Sequence, residues 1–293
     1  MLRQLFELLD RGEWVQVKRE AERLMLLPDL DDGQLAWIYR AGGKACIGLS
    51  EFHAAAKLYE LGMPYAFKAK EWDCLGFTRH EFGTTLLVLG NTNEAREHLE
   101  AYLLDLPRYL DSRRAEGRVH FNLGLLYRQR KEYHLAVAAY RQALHCFVER
   151  GEVRNAGDCH QNIAWMLLIQ RKPEDARTHI DLASSYLEKL PDDFRTEQLI
   201  LLALFHVIAG EYPLAGEYLL PILGGRLVAR EEHLASASWV EANLHMAQRQ
   251  LELARASLEK ALTHALLARA AHLVNLCSDL KEQLMRETGE AAL

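Results

Sequence analysis

The chain has 293 residues, 49% of them apolar and 26% charged, the balance of a soluble globular protein with ample material for a core. With 35 Lys and Arg against 41 Asp and Glu the net charge is −6, which argues against a general electrostatic grip on nucleic acid or an anionic membrane. The longest charge-free apolar run, between Glu197 and Glu211, has thirteen residues, short of the roughly 18 that span a bilayer.

At the N-terminus Glu7 and Asp10 interrupt the apolar residues, so no signal peptide is expected. Five cysteines, Cys46, Cys74, Cys146, Cys159 and Cys277, lack CxxC spacing and imply reduced thiols and a cytoplasmic location.

Along the chain the elements come as helix pairs. In each pair a small residue of the first helix stands twelve positions before a small residue of the second. The second position runs Val17, Ala55, Ala95, Ala136, Ala176, Ala215 and Ala254, at intervals of 38, 40, 41, 40, 39 and 39 residues. The first runs Leu5, Gly43, Gly83, Gly124, Ala164, Ala203 and Ala242. Small residues at both places let two helices approach closely. Four residues past the second column stand Ala21, Tyr59, Leu99, Tyr140, Ile180, Leu219 and Leu258, on the same helical face and apolar throughout. A turn signature, Glu13-Trp14, Glu51-Phe52, Glu132-Tyr133 and Glu211-Tyr212, precedes four of the second helices. Pro28, Pro64, Pro107 and Pro191 are placed between units, and Pro173 and Pro213 at the start of second helices, where a missing N–H costs little. Pro221, followed by Gly224-Gly225, is expected to shorten or kink its helix.

These columns resemble the tetratricopeptide repeat (TPR) family over essentially the whole chain, with units of about 40 residues against the usual 34. The resemblance implies an all-α fold, a right-handed α-solenoid of about seven antiparallel helix pairs. The units are placed near 1–35, 36–75, 76–116, 117–156, 157–195, 196–234 and 235–265 of one continuous domain. A C-terminal capping helix over 266–287 covers the last pair, and the tail from Gly289 is expected to fray.

Helical phase then selects the residues of the first helices that face the inside of the superhelix. It gives Trp37, Arg40 and Lys44; Phe77, His80, Glu81 and Thr84; Arg118, Phe121, Asn122, Leu125 and Arg128; Asp158, Gln161, Asn162 and Trp165; Ile200, Leu201 and Leu204; and Trp239, Val240 and Asn243. Exposed aromatics beside Asn, Arg and Asp depart from an ordinary solvated face and point to ligand contact. The peptide-binding candidates are Arg40, Lys44, His80, Glu81, Arg118, Phe121, Asn122, Asp158, Asn162 and Trp165. Asn122 and Asn162 hold equivalent places in consecutive units, where each carboxamide could pair with an extended peptide backbone or with a neighbouring helix. Arg40, Lys44 and Arg118 suit a carboxylate. Between residues 107 and 141, Arg108, Arg113, Arg114, Arg118, Arg128, Arg130, Lys131 and Arg141 outnumber Asp111, Glu116 and Glu132, and a solvated surface is the favoured reading of that excess.

Other constellations are set aside. His145-Cys146 and Cys159-His160 are adjacent pairs whose side chains diverge by about 100°, so no metal is expected. His120, His160, His206 and His245 recur at helical positions of the repeat and read as satisfied interior histidines. No phosphate loop, GxSxG turn or HExxH is present, and no catalytic residue or cofactor is expected. Asp31-Asp32 and Asp192-Asp193 look like helix caps.

The reading that follows is a non-enzymatic module holding an extended peptide or partner tail. It is similar to the TPR domains of Rap and PlcR-like bacterial peptide-sensing, transcription-related regulators, in which ligand binding changes superhelical pitch. The first repeat opens at residue 1, which leaves no place for their N-terminal effector domain within this sequence. The alternative is a passive scaffold or assembly factor that binds protein partners through convex or terminal surfaces, also as a homodimer. Direct nucleic-acid and membrane contacts are not expected. The register itself is testable: Ala136→Leu should overpack the helix seam and lower stability by about 1–3 kcal/mol, and an unchanged melting temperature would refute the assignment.

Overall fold

The structure is a computed structural model that describes residues 2–108, 112–186 and 192–289. Asp111, Pro191, the tail 290–293 and the side chains of Arg113, Arg114 and Asp192 lie outside the described residues. Fifteen α-helices follow one another among the described residues: α1 Leu2–Asp10, α2 Trp14–Met25, α3 Asp32–Gly48, α4 Phe52–Ala69, α5 Trp72–Val88, α6 Thr92–Leu104, α7 Ser112–Gln129, α8 Tyr133–Glu149, α9 Val153–Ile169, α10 Pro173–Ser185, α11 Asp192–Ala209, α12 Tyr212–Leu223, α13 Glu231–Ala247, α14 Leu251–Leu267 and α15 Ala271–Thr288. None of them is long and apolar enough to cross a membrane. Contacts divide the chain into two compact units, Met1–Leu126 and Tyr127–Leu293, the division falling inside α7. Within the units the odd-numbered helices form one layer, α1 on α3 on α5 and α9 on α11 on α13 on α15, while even-numbered helices pack beside them. This is a TPR-like helical solenoid.

The small-residue columns are the seams of this packing. Every member of the second column, from Val17 to Ala254, is at most 1% exposed. The side chain four residues later fills the space opposite the first column. A Cβ on Gly43 would stand 2.4 Å from the Tyr59 ring, and one on Gly83 would stand 2.9 Å from Leu99 Cγ. Glycine is required there because the partner side chain occupies the volume of a methyl group.

Each turn inside a pair repeats one backbone device. The residue five before the second-column position takes a left-handed φ in all seven units: Gly12, Ser50, Gly90, Lys131, Arg171, Gly210 and Arg249, between 58° and 83°. The next amide returns to the carbonyl five residues back, as in Glu51 N–H to Cys46 O at 2.8 Å and Glu132 N–H to Tyr127 O at 2.9 Å. This is the Schellman closure, which satisfies carbonyls left open at a helix end. It explains the Glu-aromatic signature, since those residues follow the left-handed position directly.

The long repeat is accommodated in the first helices. They start about one turn before the boundaries expected from sequence, at residues 32, 72, 112, 153, 192 and 231, and run 17 or 18 residues. Pro64, expected between units, lies inside α4. That helix continues to Ala69 because Gly62 and Ala66 still face buried neighbours, and Lys70, at φ 57°, makes the break. Pro173 and Pro213 sit in the first turns of α10 and α12, and α12 ends two residues after Pro221. Asp31 caps α3 through Gln34 N–H at 2.7 Å, with the Gln34 side chain answering in a full capping box. The last helix begins at Ala271 rather than 266, because α14 runs through Leu267 and Arg269, at φ 53°, interrupts the chain.

Gly43→Ala tests the seam. Tyr59 is fully buried and cannot retreat, so a loss of about 3 kcal/mol is expected in urea unfolding, at the upper end for overpacking. A loss below about 1 kcal/mol would contradict this packing.

Candidate functional site

Seven of the ten candidate residues lie in the first unit, on α3, α5 and α7. At their centre Arg40 Nη2 donates to Glu81 Oε1 at 2.7 Å, with side chains 12% and 20% exposed. The Arg40 guanidinium also lies 4.8 Å from the Phe77 ring centroid and 5.5 Å from that of Trp37, so aromatic faces hold a cation in the layer. Burial pushes the Glu81 carboxyl upward, and the charges of Arg40, Lys44 and Arg118 oppose that shift. Glu81 Oε2 and Arg40 Nε are both buried without a hydrogen-bond partner. Lys44 and Phe121 are half-buried and Arg118 is exposed.

Asn122 is only 6% exposed. Its Nδ2 donates to His80 Nε2 at 2.9 Å and to Thr84 Oγ1 at 3.2 Å. His80 therefore accepts at Nε2 and carries its proton on Nδ1. Burial, with Arg118 and Arg40 nearby, lowers its pKa to about 4. Thr84 in turn donates to His80 O at 2.7 Å. Asn122 thus ties α7 to α5, and its amide hydrogens are already used.

In the second unit Asn162 is half-buried: Arg128 Nη1 donates to its Oδ1 at 3.1 Å, and its Nδ2 donates to Asp158 O at 2.8 Å. Trp165 is half-buried, with its ring 5.9 Å from that of Trp239. Gln161, Ile200, Leu201, Leu204, Trp239 and Val240 are buried, not exposed on a groove as expected. Gln161 points inward to Phe194 O at 3.0 Å and Gln198 at 3.2 Å. Their burial has a simple cause, since α9, α11 and α13 pack on one another and α13 is covered by α15.

Comparison with known proteins agrees with this geometry. Residues 117–144 match the family model described as tetratricopeptide repeat. No curated protein matches the chain in sequence. Among solved structures the chain is similar to NprR in complex with its cognate peptide NprX, at 17% identity and a TM-score of 0.72, covering 99% of this chain and 84% of that one. It is also similar to a Rap protein complexed with competence and sporulation factor, at 14% identity and a TM-score of 0.65 over 98% and 87% of the two chains. A third similar structure is the apo form of the quorum sensor NprR from B. thuringiensis, at 18% identity and a TM-score of 0.62 over 99% and 82%. Residues 117–144 thus match a tetratricopeptide repeat, and the chain as a whole has a TPR-like helical-solenoid fold.

Within the TPR frame several partners had no signal in the sequence. Tyr102, on α6, packs its ring 6.2 Å from that of His80, and burial raises its hydroxyl pKa to about 12. Nothing in the repeat spacing links it to the first helices. The pairing of Arg40 with Glu81 crosses 41 residues, one repeat length, and was legible only as two members of one face. Of the histidines set aside earlier, His160 shares a 2.8 Å contact with His179, His206 reaches Glu211 at 2.6 Å and His245 reaches Gln250 at 2.8 Å. All five cysteines are buried and none is joined in a disulfide. Among the described residues no group of three or more His, Cys, Asp or Glu is placed to hold a metal ion.

Asp158 gives a pH test. Burial first, then the Glu197 charge, raises its carboxyl from 3.8 to about 6, against the opposing pull of Arg154. The folded value lies above the unfolded one, so the carboxylate lowers stability above about pH 6 and the deficit vanishes as pH falls toward the unfolded pKa. Asp158→Asn should therefore be more stable than the parent at pH 7.5, by about 1–2 kcal/mol. The two should converge near pH 4 in urea titrations. A variant less stable at pH 7.5 would contradict the burial argument.

Proposed function

We propose that this TPR-like protein is a non-enzymatic, peptide-binding regulator, and that the Arg40–Glu81 cluster of α3, α5 and α7 is a principal contact region in its first unit. The observation that carries this is the pair of buried, unpartnered atoms at one ion pair, Glu81 Oε2 and Arg40 Nε. Leaving such groups unbonded costs stability, about 1–3 kcal/mol each, and a structure built for packing alone would have replaced them. A bound peptide supplies what is missing: a backbone N–H for Glu81 Oε2, and carboxylates or carbonyls for Lys44 and Arg118. The similar NprR and Rap structures are of proteins captured with peptides, which supports a peptide rather than a nucleotide or metabolite. Asn122 acts here as a support that holds His80 and Thr84, not as the residue that pairs with the ligand backbone. In the second unit Asn162 keeps Arg128 aligned while Trp165 offers an aromatic surface.

Native mass spectrometry of the tagged full chain, isolated from its own cells, tests this reading. The expected result is an added mass of peptide size that is lost in the Lys44→Ala/Arg118→Ala variant. A bare chain in the parent preparation, or the same adduct retained in the variant, would contradict the assignment.

A further inference from the structure

The second unit contains a feature that the repeat pattern does not use. Helix α15 packs along α13 and α14, and on its other side it walls a cavity of about 200 Å³. The opposite wall comes from Leu168, Leu204, Val207 and Trp239, on α9, α11 and α13, while α15 contributes Leu276 and Leu280. All six side chains are buried, so this part of the lining is apolar. An apolar cavity of about 150 Å³ is known to remain dry and to accept a benzene ring, so this one has room for a leucine, isoleucine or phenylalanine side chain. Five polar side chains also border it, Tyr133, Arg171, Asn243, Asp279 and Gln283. Tyr133 is half-buried, and Asn243 uses its Nδ2 for Trp239 O at 2.9 Å, leaving Oδ1 able to accept a backbone N–H.

The wall is lightly latched. Beyond its packing on α13 and α14, α15 reaches the α7–α8 turn through Lys131 and Asp279 at 2.6 Å, with side chains 41% and 51% exposed. A second contact there is a long bond from Asn275 Nδ2 to Gln129 O at 3.3 Å. Exposed ion pairs contribute little to stability, so this edge of α15 can part from the turn without loss of the core. Trp239 Nε1 holds the other side, donating to Leu276 O at 3.2 Å.

We propose that this cavity is a receiving pocket for one apolar side chain of the bound peptide, and that α15 closes over it as a movable wall. The inference rests on the peptide-binding reading for the identity of the ligand, but the pocket itself can be tested apart from it. The probe is N-acetyl-L-leucinamide, which carries a leucine side chain between two amides, titrated into the full chain by calorimetry. Hydrogen exchange is followed in parallel over residues 271–288. Saturable binding is expected, with slower exchange in α15 on binding and at least tenfold weaker binding in Ile208→Phe, which fills the cavity from a half-buried lining position. Ile169→Phe is the second filling variant, and circular dichroism establishes that the variants fold. No binding by the parent, equal binding by a folded filling variant, or unchanged exchange in α15 would overturn the pocket. Peptide capture from cells that is indifferent to Ile208→Phe would also overturn it, while leaving the peptide reading intact. Probe binding that is lost in Ile208→Phe, with no peptide captured from cells, would support the pocket and remove the peptide reading instead.

Discussion

The first helix of a pair packs tightly against the side chain that its partner sends across, and the rest of the architecture depends on that contact. At Gly43 and Gly83 there is no room for a methyl group, because Tyr59 and the Leu99 side chain already fill the space. Where the first-column residue is Ala164, Ala203 or Ala242, the partner is Ile180, Leu219 or Leu258, smaller than the Tyr59 and Tyr140 that stand opposite Gly43 and Gly124. Volume is therefore traded across the seam in these five pairs. Close packing of this kind leaves little freedom in helix separation, and the seven left-handed turns complete the constraint by returning each chain at the same angle. Once separation and turn are set, the odd-numbered helices must lie side by side, and it is their shared face that carries the polar residues.

Much of this was legible in the sequence because it is written in spacing. Two small columns and an apolar column twelve and four residues apart are a direct consequence of helix geometry, and every second-column residue is buried as expected. The turn was half legible: Glu-aromatic pairs marked it, but the residue that takes the positive φ is Gly, Ser, Lys or Arg, so composition alone could not identify it. Helix starts were displaced by about one turn because the first turn of each odd helix is set by caps and packing partners rather than by the repeated columns. Pro64 misled for a related reason, since a proline in a helix interior is unfavourable by about 3 kcal/mol and is normally a boundary mark, whereas here the buried Ala66 beyond it keeps the helix going.

The candidate site was legible as a face but not as a set of bonds. Phase arithmetic placed Arg40, His80, Glu81 and Asn122 together, and the structure brings them together. It could not say that Asn122 spends its amide hydrogens on His80 and Thr84, because a carboxamide that binds a neighbouring helix and one that awaits a ligand occupy the same position. Nor could it anticipate that α15 walls a cavity on α9, α11 and α13, since that contact joins segments about 37 to 110 residues apart with no repeated signature. Burial decided the difference: Ile200, Leu201, Leu204, Trp239 and Val240, read as a groove surface, are interior, whereas Lys44, Phe121 and Arg118 keep exposed surface.

The electrostatic arrangement of that cluster separates folding from binding. Glu81 experiences three cations, Arg40, Lys44 and Arg118, but bonds directly to Arg40 alone. Lys44 and Arg118 act on Glu81 through their charges and without a direct bond, so if they are kept for a ligand's anionic or carbonyl groups their support of the unliganded fold is small. Differential scanning calorimetry of the Lys44→Ala/Arg118→Ala variant beside the ligand-free parent measures this directly. The account predicts a melting temperature within about 4 °C of the parent, and a larger fall, equivalent to more than roughly 1–2 kcal/mol for a chain of this size, would show that these cations belong to the fold and not to a binding site.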